Sequence, residues 1–231
     1  MTRADGGRWV CNVNVHGVGV PTRPLEEGED EVWVSVEQLE GLLDAAVGRP
    51  EVVITFDDGN ISDLEIGLPM LLERGLTARF YPCAGLMGEP GRLDESDIRE
   101  LHAAGMVIGS HGWRHRDWRT LGRDPVGAPA AEELVRARQT LERVIGAEVT
   151  EVAVPFGSYD RHVVSALRRT GASRVYTSDG GWARPGAWLQ ARTSIRADHG
   201  GDFPSRVMSH RPGPRRRLRG RAAQLAKRLR G

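Results

Sequence analysis

Apolar positions along this chain follow two rhythms that take turns. Short runs are apolar at every second residue or continuously β-branched; between them, apolar residues recur three and four apart. The first rhythm predicts strands and the second amphipathic helices. Strand patterns fall at residues 8–17 (RWVCNVNVHG), 51–58 (EVVITFDD), 77–85 (TARFYPCAG), 106–112 (MVIGSHG), 151–160 (EVAVPFGSYD), 174–179 (RVYTSD) and 188–195 (WLQARTSI). Helical patterns fall between them. In residues 35–48, Val36, Leu39, Leu42 and Leu43 share one face, with Ser35 as N-cap and Gly48 as stop. In residues 61–75, Pro69 is a weak point that predicts a kink or a late helix start. Asp94 caps a helix carrying Ile98 and Leu101 and stopped by Gly105. Residues 130–146 form a long amphipathic pattern with Leu134, Leu141, Val144 and Ile145, and residues 161–172 a further helix.

Strands alternating with helices imply βα units and a mostly parallel sheet. About seven units in some 200 residues suit a small α/β barrel better than a short open sheet. After Phe203 the pattern decays. Residues 209–220 are rich in Pro, Gly and Arg, a composition that predicts disorder. Beyond them Leu218, Ala222, Leu225 and Leu229 mark a narrow apolar helical stripe. The chain thus divides into a body, 1–205, and a tail, 206–231.

Composition changes this picture mainly through charge. The net charge of +1 hides an asymmetry: ten of the 32 basic side chains lie from Arg206 onward, where there is no acid. The body therefore carries 22 basic against 31 acidic groups, and a basic tail follows an acidic domain. Such a tail fits a solvated end, peripheral attraction to an anionic membrane face, or nonspecific nucleic-acid contact, with nucleic acid ranked last because nothing in the acidic body offers a platform. No apolar run approaches the ~20 residues that span a bilayer. The first ten residues hold no long apolar stretch of a secretory signal. Cys11 and Cys83 form no CxxC and read as buried small hydrophobes in a reduced compartment. Together these predict a cytoplasmic protein, with the tail suggesting attachment at the inner membrane face.

The candidate chemistry sits where barrel strands end. In a parallel barrel the loops after the strands build the active face. Here VHG, FDDG, SHGWRH, VPFGSY and TSDGG all occupy such positions. His111 and His115 are four apart, so a helical turn puts two imidazoles on one ion, and one carboxylate completes a three-ligand set. That donor set suits zinc or another divalent metal. It also explains Asp57 and Asp58, adjacent carboxylates at the end of an apolar strand. Like charges resist ionising side by side, and a shared cation removes the conflict. One carboxylate can bind the ion while the other takes a proton from the water it activates. Gly59 lets the chain turn sharply there. Taken singly, each motif has a plain structural reading: a DDG turn, two solvated histidines, loop punctuation at Pro155 and Gly157. Their joint placement at successive strand ends favours the chemical one.

The strings TFDDG, SHGWRH and VPFGSYD, in this order and spacing, resemble the first three motifs of the polysaccharide deacetylases, the family-four carbohydrate esterases. The resemblance covers roughly residues 8–200. It implies a distorted (β/α) barrel and metal-dependent removal of an acetyl group from an N-acetylated sugar, with a carbohydrate as substrate. By motif position Asp57 is the catalytic base, Asp58, His111 and His115 are the metal ligands, and the backbone N–H of Phe156 is an oxyanion donor.

Two departures stand out. Many members carry an Arg two residues before the Pro of the third motif; here Ala153 stands there, and Arg192 in LQART is the candidate source of positive charge. The family's late His motif has no match; His199 is the only late histidine before the tail and sits in a Gly-rich, mismatched context. His16, ending the first strand, is a further candidate for the site, and Asp179 for substrate contact. Trp113, Trp118, Tyr159, Trp182 and Trp188 either stack on sugar faces or pack structurally. Two rival functions stay open: a noncatalytic sugar-binding barrel, favoured by the missing late His, and a hydrolase of an O-acetyl ester or another amide. The intact Asp57, Asp58, His111 and His115 set argues against the first.

Overall fold

Strand β1 (Cys11–Val15) runs through the middle of a seven-stranded sheet with all five residues buried. The structure is a computed structural model that describes residues 9–121 and 128–209, with Leu225 and Lys227. After β1 come β2 (Gly17–Val18), β3 (Trp33–Val34), α1 (Val36–Ala46), β4 (Val52–Asp58), α2 (Leu68–Glu73), β5 (Ala78–Pro82), α3 (Glu95–Ala103) and β6 (Val107–Ile108). The second half adds α4 (Ala128–Ala130), α5 (Ala137–Ile145), β7 (Glu151–Ala153), α6 (Arg161–Arg169), β8 (Arg174–Thr177), β9 (Leu189–Ser194) and α7 (Phe203–Ser209). The sheet order is β6-β5-β4-β1-β9-β8-β7, and every pairing is parallel.

The two edge strands meet beyond the end of β6. Ser110 N–H donates to Glu151 O (3.0 Å), and Ala153 N–H donates to Ser110 O (2.9 Å). These bonds curl the sheet into the nearly closed barrel that the alternating pattern predicts. Gly109 makes the seam possible: a Cβ there would lie 2.2 Å from the Tyr81 ring and 2.9 Å from Glu151 O.

Strand alternation divides the barrel wall into two faces. Val13, Val15, Ile54, Phe56 and Phe80 point outward into the main apolar core, where Leu39, Leu42, Leu43, Ile98 and Leu101 cover them. Phe56 and Phe80 stack at 4.7 Å. Between them, Asn14, Thr55, Asp57, Tyr81 and Arg192 point inward, all buried. The interior is thus polar, and it leads directly into the residues at the strand ends.

The helices start where their caps require. Ser35 and Asp94 each form a reciprocal capping box, with Gln38 and Asp97. Val36, expected on the buried face of α1, is 39% exposed because it occupies the first turn. Pro69 marks a late start: a π-helical turn, Asp63–Gly67, precedes α2. A second π-helical stretch, Ala131–Arg136, leads into α5 and turns Glu133 fully inward.

Helix α7 carries the packed body to Ser209, past the point where the apolar pattern fades and across the 205/206 boundary. Phe203 and Met208 are buried in the main core, and Trp182 Nε1 donates to Val207 O (3.1 Å). Seven residues are too few for a periodic signal to show. The Pro/Gly/Arg stretch beyond Ser209 and the Leu stripe of the tail lie outside the described residues except for Leu225, which is exposed. Among the described residues no helix is long and apolar enough to cross a membrane.

Candidate active site

Strand β4 delivers the two carboxylates. Asp57 continues the inward register, level with Tyr81 on β5. Asp58, next along, should face the opposite side, but its backbone turns left-handed (φ 74°). Gly59 follows at φ 73°, where a Cβ would press on Pro82 at 2.8 Å. The turn ends the alternation and brings both acids to one place. His111 Nε2 lies 3.8 Å from Asp57 Oδ2 and 3.4 Å from Asp58 Oδ1.

The loop after β6 delivers the histidines. His111 is buried, and its Nδ1 lies 2.9 Å from Ala153 O. A carbonyl only accepts, so this bond assigns the proton to Nδ1 and leaves the Nε2 lone pair facing Asp58. His115 adopts φ 52° and brings its Nε2 to 3.5 Å from the same Asp58 Oδ1. One ligand atom from each of Asp58, His111 and His115 lies within 4.8 Å of the others. Asp58 Oδ1 is buried without a hydrogen-bond partner. An orphaned carboxylate oxygen facing two imidazole nitrogens is the arrangement a divalent cation completes, so this donor set fits a metal.

Burial, charge and lone pairs agree with that reading. Burial pushes the His111 imidazolium down to about 4, so the ring is neutral and available as a ligand at neutral pH. Burial works against ionisation of Asp57, but the Arg192 guanidinium, with His111 and His16, outweighs it and holds the carboxyl below its ordinary value. Asp58 is likewise held low against burial, by His115, His16 and His111.

Arg192 on β9 reaches across the barrel interior to Asp57 with both guanidinium nitrogens, Nη1 to Oδ1 at 2.7 Å and Nη2 to Oδ2 at 2.6 Å. It lies 5.7 Å from the rings of Tyr81 and of Tyr176. Asn14 Nδ2 donates to Asp57 Oδ2 (3.0 Å), while Asn14 Oδ1 accepts from Arg192 and Thr55. Asp57 thus has an orientation fixed from β1 and, beyond it, β9.

Beyond β7, Phe156 holds φ 57°, and its ring lies 4.3 Å from that of His115. Asp58, His115 and Phe156 are the three non-glycine residues with positive φ among the described residues. Such conformations cost on the order of 1–3 kcal/mol each and gather where function over-determines the backbone.

The polysaccharide deacetylase family model matches residues 44–175, more than half the chain and three of the site's loops. The chain belongs to the polysaccharide deacetylase family. "Putative polysaccharide deacetylase YxkH" of Bacillus subtilis (strain 168) is 24% identical over 149 residues, 64% of this chain and 52% of that one. The chain therefore spans about half the length of that curated relative. The fold is similar to Streptococcus pyogenes deacetylase PplD in complex with acetate, with TM-score 0.73, 18% identity and coverage of 87% of this chain and 99% of that one. It is similar also to IcaB from Ammonifex degensii, with TM-score 0.68, 22% identity and coverage of 87% and 96%.

Ala153, at the position where the resemblance leads us to expect an Arg, packs in the barrel interior with Tyr81 and Tyr176. The guanidinium on Asp57 comes from β9 instead. His16 is held beside Asn14 Nδ2 (3.4 Å) and close enough to add to the field on both acids. His199 does not join the cluster: its Nδ1 accepts from Arg196 N–H, and its ring stacks on Phe203 at 4.0 Å.

The aromatic candidates are mostly structural. Trp118 and Tyr159 are buried, Trp182 packs on the core, and Trp188 donates to Ala172 O. Trp113 is half-buried under the Arg136 guanidinium. Asp179 accepts from Tyr159 and Thr177 hydroxyls and from Lys227 of the tail (2.6 Å).

Sequence reasoning passed over Asn14, Thr55, Asp63 and Glu133. Polar positions alternating through β1 were the available signal for Asn14; in a barrel closed on both faces they must point inward. Asp63 is buried with neither carboxyl oxygen hydrogen-bonded. Burial and the nearby Asp58 push its pKa well above the ordinary value.

Proposed function

We propose that this chain is a metal-dependent hydrolase that removes the N-acetyl group of an amino sugar or glycan. The observation that carries the reading is the convergence of Asp58, His111 and His115 on one point, with Asp57 fixed beside them by Arg192. Two imidazole nitrogens and a carboxylate oxygen suit zinc. When bound, the cation supplies Lewis acidity to the acetyl carbonyl and acidifies the attacking water. Asp57 accepts that water's proton. Its pairing with Arg192 keeps it ionised but makes it a weak base, so acidification of the water is essential.

The remaining steps fall to groups on the rim. The Phe156 N–H follows Pro155 in a strained turn and donates to the oxyanion as charge develops on the carbonyl oxygen. We assign protonation of the leaving amine to His16, which lies beside Asn14 near the two acids, rather than to His199, whose ring stacks on Phe203. A carbohydrate partner follows from the family. Peripheral attachment of the basic tail to an anionic membrane face rests on charge alone, and equal vesicle binding by full-length protein and residues 1–209 would contradict it.

Acetate release from a panel of N-acetylated and O-acetylated sugars, with metal content measured on the same sample, tests the reading. We expect one divalent ion per chain and release from the N-acetylated set. Bound metal with release only from O-acetylated sugars would assign the site to an esterase. Metal and sugar binding without release from either set would make it a noncatalytic barrel.

A further inference from the structure

Between His111 and His115 the chain has left the sheet and must satisfy its backbone elsewhere. The carbonyls turn one way: Gly112 O accepts from Ala84 N–H (2.9 Å) and Trp113 O from Gly85 N–H (2.8 Å). Gly112 N–H donates to Ser110 Oγ (3.2 Å), and the next two amides turn onto a single side chain. Trp113 N–H donates to Glu133 Oε2 (2.9 Å) and Arg114 N–H donates to Oε1 (3.0 Å). Trp118 Nε1 adds a third bond to Oε2 (3.3 Å), and the Arg116 guanidinium lies 3.8 Å from Oε1. Glu133 has no exposed surface.

A fully buried carboxylate is costly unless its oxygens are met by donors. Here nearly all the donors belong to the loop that carries the two imidazoles. The loop is shaped to admit it: Gly112 has φ +87°, and a Cβ there would lie 2.5 Å from Glu133 Oε2. The π-helical stretch Ala131–Arg136 aims Glu133 into the loop. His115 takes its left-handed conformation one residue beyond the last amide held.

We propose that Glu133 is the positioning residue of the metal centre: by holding the Trp113 and Arg114 amides it sets the spacing of His111 and His115 and so the affinity for a divalent cation. It touches neither ion nor substrate. The inference rests on Asp58, His111 and His115 being the ligands.

Glu133→Gln tests it in the full-length protein stripped of metal. The amide group has one acceptor oxygen, so in either orientation one loop N–H faces an NH2 donor. Zinc affinity is read by competition with a chromophoric chelator, and folding by circular dichroism and thermal melting. The expected result is a folded protein whose zinc Kd rises about tenfold or more, with turnover recovering at saturating zinc. Glu151→Gln is the matched control. Its carboxylate binds Arg79, Tyr81 and Arg174 inside the barrel, so it should cost stability and leave zinc affinity unchanged. A folded Glu133→Gln with wild-type zinc Kd would overturn the proposal, as would an equal loss of affinity in Glu151→Gln. Should Glu133→Gln not fold, Glu133→Asp, which draws both oxygens back by one methylene, carries the same expected and overturning results. His111→Ala separates the two levels. If it loses zinc while Glu133→Gln does not, only the positioning role fails; if it binds zinc normally, the ligand assignment fails and the proposal with it.

Discussion

Arg192 grips Asp57 through two parallel hydrogen bonds of 2.7 and 2.6 Å, from a strand on the far side of β1. The geometry is a planar fork meeting a planar carboxylate, which a lysine does not reproduce. Arg192→Lys should therefore keep the charge and lose the orientation. We expect acetate release to fall by about a hundredfold with metal content unchanged. An unaltered rate would show that Asp57 needs no such support.

Phe156 separates backbone from side chain. Its φ of 57° suits glycine better than phenylalanine, and the residue is 61% exposed. Phe156→Gly retains the N–H and should keep most activity. Phe156→Pro removes the N–H and forbids the angle, and turnover should fall by about 10²–10³. Steady-state acetate release beside a thermal melt of each variant distinguishes lost chemistry from lost fold.

His111 makes the metal-free protein sensitive to acid. Burial lowers its folded pKa to about 4, below the ordinary imidazole value of 6.5, so the unfolded chain binds the proton more readily. The stability tied to its neutral form is present above pH 6.5 and is lost as pH falls toward 4. Urea unfolding of the metal-free protein should show this decline, and His111→Gln should flatten it.

Asp63 acts with the opposite sign. Burial and Asp58 raise its folded pKa, so the folded state holds the proton more tightly than the unfolded chain. Its contribution is intact below the ordinary carboxyl pKa and lost as pH rises through the raised value. Asp63→Asn removes the ionisable group from a site that offers its oxygens no partner. The variant should melt at a higher temperature than the parent at pH 8, with the difference shrinking toward pH 4. A lower melting temperature at pH 8 would mean that Asp63 holds a charge the fold needs.

The barrel was legible because its outer face is written in apolar residues at fixed periods. Leu39, Leu42, Leu43, Ile54 and Phe56 lie where their spacing places them. The site's motif residues were legible because strand ends are where a parallel barrel gathers its loops. Other features left weaker traces. Asn14 and Thr55 read as ordinary strand polar positions until closure puts them inside. Glu133 reads as one more charge on an amphipathic helix, since a π-helical turn has no sequence signature. Helix α7 fell past the apparent end of the pattern because about two turns of helix, anchored by Phe203 and Met208, are too few to show a period. Arg192 was recognisable as a charge near the site, but its partner emerged only from the β1–β9 register that pairs Asn12 with Arg192.

In the proposed function two adjacent carboxylates divide the work, Asp58 holding the cation and Asp57 taking the proton. Metal content and acetate release measured together on Asp57→Asn and His111→Ala test this division most directly. Asp57→Asn should retain the metal and lose turnover, and His111→Ala should lose the metal. Acetate release undiminished by Asp57→Asn would contradict the account.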